Sequence, residues 1–162
     1  MATMARTGLL TSPARRATSF EGTTWSGVGL LSLSGFSDLG RAVAHGPDAW
    51  APTVSDGKIV LYGSNGTDTI PGSSGGGEPT MAVGANGTRY VAYRLNGQLV
   101  VATDMTGAGG TSWSAAAVLD LNVDDTAFAI AVNGKGTKCI SFGNNTTKEM
   151  AFALHKAGSG AA

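Results

Sequence analysis

Two histidines, one cysteine and eleven carboxylates are spread along the 162 residues of this chain, and any catalysis would have to draw on them. Serine-type catalysis needs a histidine base beside its nucleophile and an acid that orients the ring. His45 and His155 are the only histidine bases, and neither lies in a Gly-x-Ser-x-Gly elbow or a comparable motif. Both read as surface or capping residues. Cys139, in Lys138-Cys139-Ile140-Ser141-Phe142, has no His or Asp in its motif to activate it and no second cysteine to bridge. It reads as a small packed side chain on a strand. Glycosidase chemistry would need two carboxylates facing one another across a cleft, an arrangement that eleven dispersed acids leave open. Asp120-Leu121-Asn122-Val123-Asp124 matches the start of a calcium loop, but Asp125 stands where the sharp turn needs glycine and Ala131 where a bidentate glutamate belongs. One cysteine and two distant histidines make no zinc cluster. Gly72–Gly77 lacks the Lys-Ser/Thr ending of a phosphate-binding loop and reads as a flexible connector. The expectation is a protein that is not an enzyme and carries no cofactor or metal.

Binding residues are easier to nominate. Residues 1–20 hold Arg6, Arg15 and Arg16, no acid, and no sustained period of 2 or 3.6, as in an extended basic arm. From Arg94 to Lys135 the chain has no base between them but holds Asp104, Asp120, Asp124 and Asp125, acids that an arm of another subunit would find attractive. Trp113 and Trp25 each follow a glycine turn and are candidate sugar-stacking faces, with anchoring of a β core as the competing role; Trp50 is the third tryptophan. Four Asn-x-Ser/Thr patterns, at Asn65, Asn86, Asn144 and Asn145, read as turn residues.

The elements that must position these residues are strands. Val28-Gly29-Leu30-Leu31-Ser32-Leu33 is a short apolar run, and Ile59-Val60-Leu61-Tyr62 is closed by Gly63 and the turn dipeptide Asn65-Gly66. Between them, Ser37 as N-cap, Leu39, Ala42 and Val43 on one face and Gly46-Pro47 as a stop predict a short helix. The strongest pattern is internal. Ala82-Val83-Gly84-Ala85-Asn86-Gly87-Thr88-Arg89-Tyr90-Val91-Ala92-Tyr93 aligns, 49 residues on, with Ala131-Val132-Asn133-Gly134-Lys135-Gly136-Thr137-Lys138-Cys139-Ile140-Ser141-Phe142. Leu99-Val100-Val101-Ala102 then corresponds to Met150-Ala151-Phe152-Ala153. Each copy predicts three antiparallel strands joined by tight turns, and repeats of this length build propeller blades and related stacked β units.

In the residues that follow these strands, the chain resembles the sialidase-like BNR or Asp-box propeller repeat, Ser-x-Asp-x-Gly-x-Thr-Trp. Gly110, Ser112 and Trp113 retain its ending, as does Gly22-Thr23-Thr24-Trp25, while the consensus Asp falls on Ala108 and Phe20. The resemblance covers about residues 79–154 and implies blade-like β topology. The family's arginine triad, tyrosine nucleophile with glutamate, and acid aspartate are not carried over to Arg89, Arg94, Tyr90, Tyr93 or Glu78, because no spacing identifies them with those positions.

Length and composition bound the rest. A chain of 16.2 kDa with 42% hydrophobic and 14% charged residues supports one domain with a real core. Zero net charge argues against a nucleic-acid partner. No apolar run approaches the ~20 residues of a membrane span, and Gly8-Leu9-Leu10 is too short for a signal peptide, so synthesis in the cytoplasm without export is expected. The predicted fold is all-β: antiparallel blade-like repeats forming a sandwich, barrel or partial propeller. Its predicted organisation is an arm at 1–20, a β-rich domain at 21–157 with repeats at about 79–103 and 128–154, and a tail at 158–162. Three blades at most would fit, fewer than the usual 4–8, so subunit association is expected, as a homo-oligomer or with other proteins of a virion such as a phage particle. A carbohydrate-binding module, with a glycan as partner, is the alternative.

Overall fold

The computed structural model describes residues 14–19, 25–31, 36–64, 66–104, 112–119, 123–144 and 147–156. Among these residues every regular element is a β-strand and every described ladder is antiparallel. The chain divides into two compact units, Met1–Gly35 and Phe36–Ala162.

In the first unit, β1 (Ala14–Ser19) pairs with β2 (Trp25–Leu31). Arg15 lies opposite Leu30 and Arg16 opposite Gly29, so these two arginines sit within a hairpin strand. Arg6 lies outside the described residues.

The second unit contains three sheets. In the first, β3 (Phe36–Leu39) and β4 (Val43–His45) together run along β5 (Asp48–Ser55), which is followed by β6 (Lys58–Gly63) and β7 (Gly66–Thr69). The helix predicted over Ser37–Gly46 is absent. Its residues instead find backbone partners on β5, and Val43 packs into a core while Leu39 and Ala42 stay exposed. The break between β3 and β4 falls at Gly40, whose N–H donates to the Pro52 carbonyl; a β-carbon there would overlap the Pro79 carbonyl. The middle sheet has the order β11-β10-β9-β8, from β8 (Gly77–Val83), β9 (Arg89–Leu95), β10 (Gln98–Asp104) and β11 (Trp113–Leu119). The last is β12 (Val123–Val132), β13 (Lys138–Asn144) and β14 (Glu149–His155), in that order.

Turn chemistry sets the registers. Asp56-Gly57 and Asn96-Gly97 have positive φ at both residues (49° and 69°; 53° and 76°), the two-residue hairpin turn whose twist matches that of its strands. The 49-residue repeat holds at the level of hydrogen bonds. Gly84 N–H donates to Thr88 O and Gly87 N–H to Gly84 O, both at 2.9 Å; Asn133 N–H to Thr137 O (3.0 Å) and Gly136 N–H to Asn133 O (2.9 Å) repeat the pattern. The stretch Gly72–Gly77, expected to be flexible, is tied down. Buried Ser73 accepts from Ile59 N–H at 3.0 Å and donates to Ile70 O at 2.6 Å, and Gly75 N–H donates to Gly57 O.

Stacking follows from strand alternation. On one face of the middle sheet Met81, Val91, Tyr93, Val100 and Ala102 join Val54, Ile59, Leu61 and Ile70 of the first sheet's segment in one core. On its other face Ala82, Tyr90, Ala92, Leu99 and Val101 join Ile130, Ile140 and Phe142 of the last sheet in a second. The middle sheet is thus apolar on both sides, and the second unit is an open stack of antiparallel sheets.

Candidate functional site

One dense cluster of charge stands among the described side chains. Arg89, the first residue of β9, is 1% exposed at the edge of the first core. The Asn96-Gly97 hairpin register places it opposite Asp104, and Asp104 is in turn opposite Trp113 at the start of β11. The Arg89 guanidinium donates to Asp104 through Nε (3.0 Å) and a terminal nitrogen, and that nitrogen also donates to Asp68 of β7 at 2.7 Å. Ser112 Oγ donates to the other Asp104 oxygen at 3.2 Å. The guanidinium carbon lies 5.6 Å from the Trp50 ring centre and 5.0 Å from that of Trp113, within cation–π range of both. Trp50 has room there because its partner in the ladder is Gly63, where a β-carbon would come within 2.8 Å of the indole.

This cluster ties the first sheet (Trp50, Asp68) to the middle sheet (Arg89, Asp104, Trp113). Two carboxylates are present, but a guanidinium donates to both. Both are therefore held as acceptors of one guanidinium. Asp104 is fully buried, so it is not available as a surface acid for a basic arm. Removing either member of a buried pair strands the other's charge away from water, which is why such a cluster fixes one arrangement of the two sheets. At the next step of the stack Lys138, the repeat equivalent of Arg89, places its Nζ 4.8 Å from the Tyr90 ring centre on the middle sheet. Burial pushes the Lys138 pKa down, and burial pushes that of Tyr93 in the first core up.

The predicted site residues are distributed as follows. Trp113 is half-buried with a ring face toward Arg89. Trp25 opens β2 opposite Ser19, and that pair repeats the Asp104–Trp113 pairing, just as Thr18–Ser26 repeats Thr103–Ser114. His45 ends β4 with Nε2 3.3 Å from the Ala85 carbonyl, and His155 ends β14, exposed, opposite Lys138. Cys139 is half-buried on β13. Asp120–Asn122 of the calcium-like stretch lie outside the described residues. Asp68 and the Arg89–Asp104 pair were not nominated from sequence; the Asn96-Gly97 dipeptide, read as a hairpin, would have put Arg89 opposite Asp104.

A second feature is an open sheet face. Ile140, Phe142, Ala151 and Ala153 of the last sheet point into the second core, so alternation turns Cys139, Ser141, Met150, Phe152 and Leu154 the other way. Ala129 and Ala131 share that face through their pairing with Ser141 and Cys139. Met150, Phe152 and Leu154 are 70%, 64% and 69% exposed, and none of these seven positions is charged. Neither family models, curated proteins nor solved structures gave a match to this chain.

Proposed function

We propose that this protein is a non-enzymatic structural component that works by assembling into a larger particle, such as a capsid-decoration or tail-associated protein of a phage virion. The open apolar face of the last sheet carries this reading. Three large side chains of one strand stand more than half exposed in a row, and such contiguous apolar surface marks interaction sites. The charge cluster of Arg89, Asp68 and Asp104 joins two sheets, which is work that suits a scaffold. Arg6, Arg15 and Arg16 supply positive charge for a second contact. Their proposed role is tested by charge substitution, since deleting residues 1–20 would also remove the partner of β2.

The test is the solution mass of the full chain by light scattering over a concentration series, with and without Arg6→Ala, Arg15→Ala and Arg16→Ala together. A species heavier than 16.2 kDa is expected for the unsubstituted chain, with the triple variant associating more weakly. A single-chain mass throughout the series overturns the reading and gives precedence to glycan binding, for which Trp113→Ala on a glycan array is the direct measurement.

A further inference from the structure

We infer that the open face of β12–β14 is covered by the same face of a second copy of this chain, making a two-fold, sheet-on-sheet dimer. The inference rests on the assembly reading above and names its partner. It is carried by the internal repeat. Ala82, Tyr90, Ala92, Leu99 and Val101 of the middle sheet correspond in the repeat to Ala131, Cys139, Ser141, Met150 and Phe152. In the middle sheet these five are buried, and what covers them is another antiparallel sheet of this same chain. The equivalent positions of the last sheet are thus built to the pattern that one sheet of this protein presents to another, and among the described residues Met150 and Phe152 there stand exposed.

The choice of occupant follows from what the molecule offers. Large hydrophobics exposed among the described residues are Leu39, Val118, Met150, Phe152 and Leu154, three of them on this face. On the first sheet, the face turned away from the core carries Lys58, Thr67 and Thr69 exposed, while its Thr53 and Val60 are already buried. A head-to-tail contact would set apolar side chains against that polar rim. The same face on a second copy presents the same apolar Met150, Phe152 and Leu154, and a surface that meets itself gives a closed, two-fold contact. Facing sheets pack about 10 Å apart with side chains interdigitated, which seats Phe152 and Leu154 of one copy among Met150 and the small Ala129 and Ala131 of the other.

Cys139 makes the test direct, because it lies on this face and is the only cysteine of the chain. Light scattering and maleimide labelling are run together from roughly 1 μM to 1 mM chain, spanning the affinities of interfaces of standard size and below. The expected result is a concentration-dependent mass of two chains, with Cys139 labelled more slowly as the dimer fills. Phe152→Lys, at an exposed position where the fold does not need the ring, is expected to weaken association about tenfold or more and restore fast labelling; Leu39→Lys, exposed on β3, is expected to change neither. Circular dichroism confirms that both variants fold. An oligomer whose mass and Cys139 labelling are unaffected by Phe152→Lys, or that grows beyond two chains, overturns this face and symmetry and leaves the assembly reading standing. A single chain at every concentration overturns both.

Discussion

Arg89 decides more than any other single residue here, because its guanidinium serves Asp68, Asp104 and two indole rings at once. Replacing it by methionine keeps much of the volume but takes the guanidinium away from Asp68 and Asp104. The expected cost is about 3–5 kcal/mol, the range for breaking a buried pair, read as a lower urea midpoint. Arg89→Lys is expected to fall short of rescue, since an ammonium lacks the planar fork that reaches two acids while stacking on indoles. Tyr93 gives a pH test of the first core. Its folded pKa lies above 10.0 because burial disfavours the phenolate, so between pH 10 and the raised value the folded chain keeps a proton that the unfolded chain has lost. The stability due to the neutral phenol is complete below pH 10 and disappears as pH climbs through the raised value. Alkaline titration of the phenolate absorbance is expected to show a late component that Tyr93→Phe removes.

Strands and turns were the best-read level of this chain, and the reasons are local. The 49-residue similarity was visible because glycine turns and alternating apolar residues are encoded within a few positions, and the two turns do share their hydrogen bonds. The helix predicted at 37–46 failed because its decisive partners are distant: β5 supplies backbone acceptors and donors that a local reading does not weigh. Gly72–Gly77 misled for the same reason, since composition suggested freedom while Ser73 hydroxyl bonds to Ile59 and Ile70 remove it. The charge cluster was half legible, as a hairpin register joins Arg89 to Asp104, whereas Asp68 arrives from another sheet. At this level Gly40→Ala and Gly134→Ala form a matched pair. The first puts a methyl onto the Pro79 carbonyl and against the Pro52 ring, and the second meets nothing within 4 Å. Gly40→Ala is expected to cost several-fold more stability in denaturant unfolding, Gly134→Ala less than about 1 kcal/mol.

Within the Phe36–Ala162 unit, the middle sheet is held from both faces while the last sheet has a described core on only one. Amide exchange is therefore expected to rank them, with β13 and β14 opening at lower free energy than β9 and β10. Filling the open face should narrow that gap, so exchange of β14 is expected to slow as chain concentration rises. Equal protection of the two sheets at low concentration would count against the separate cores.

Because the middle sheet carries both halves of the stacking rule, it behaves as a link in a chain of nearest-neighbour couplings. Such a link can be copied: a tandem duplication of β8–β11 would bring a face for the sheet before it and a face for the sheet after it. The length of the stack is then an integer, set by how many links the gene spells out, and the strength of each joint is a local property that does not depend on that number.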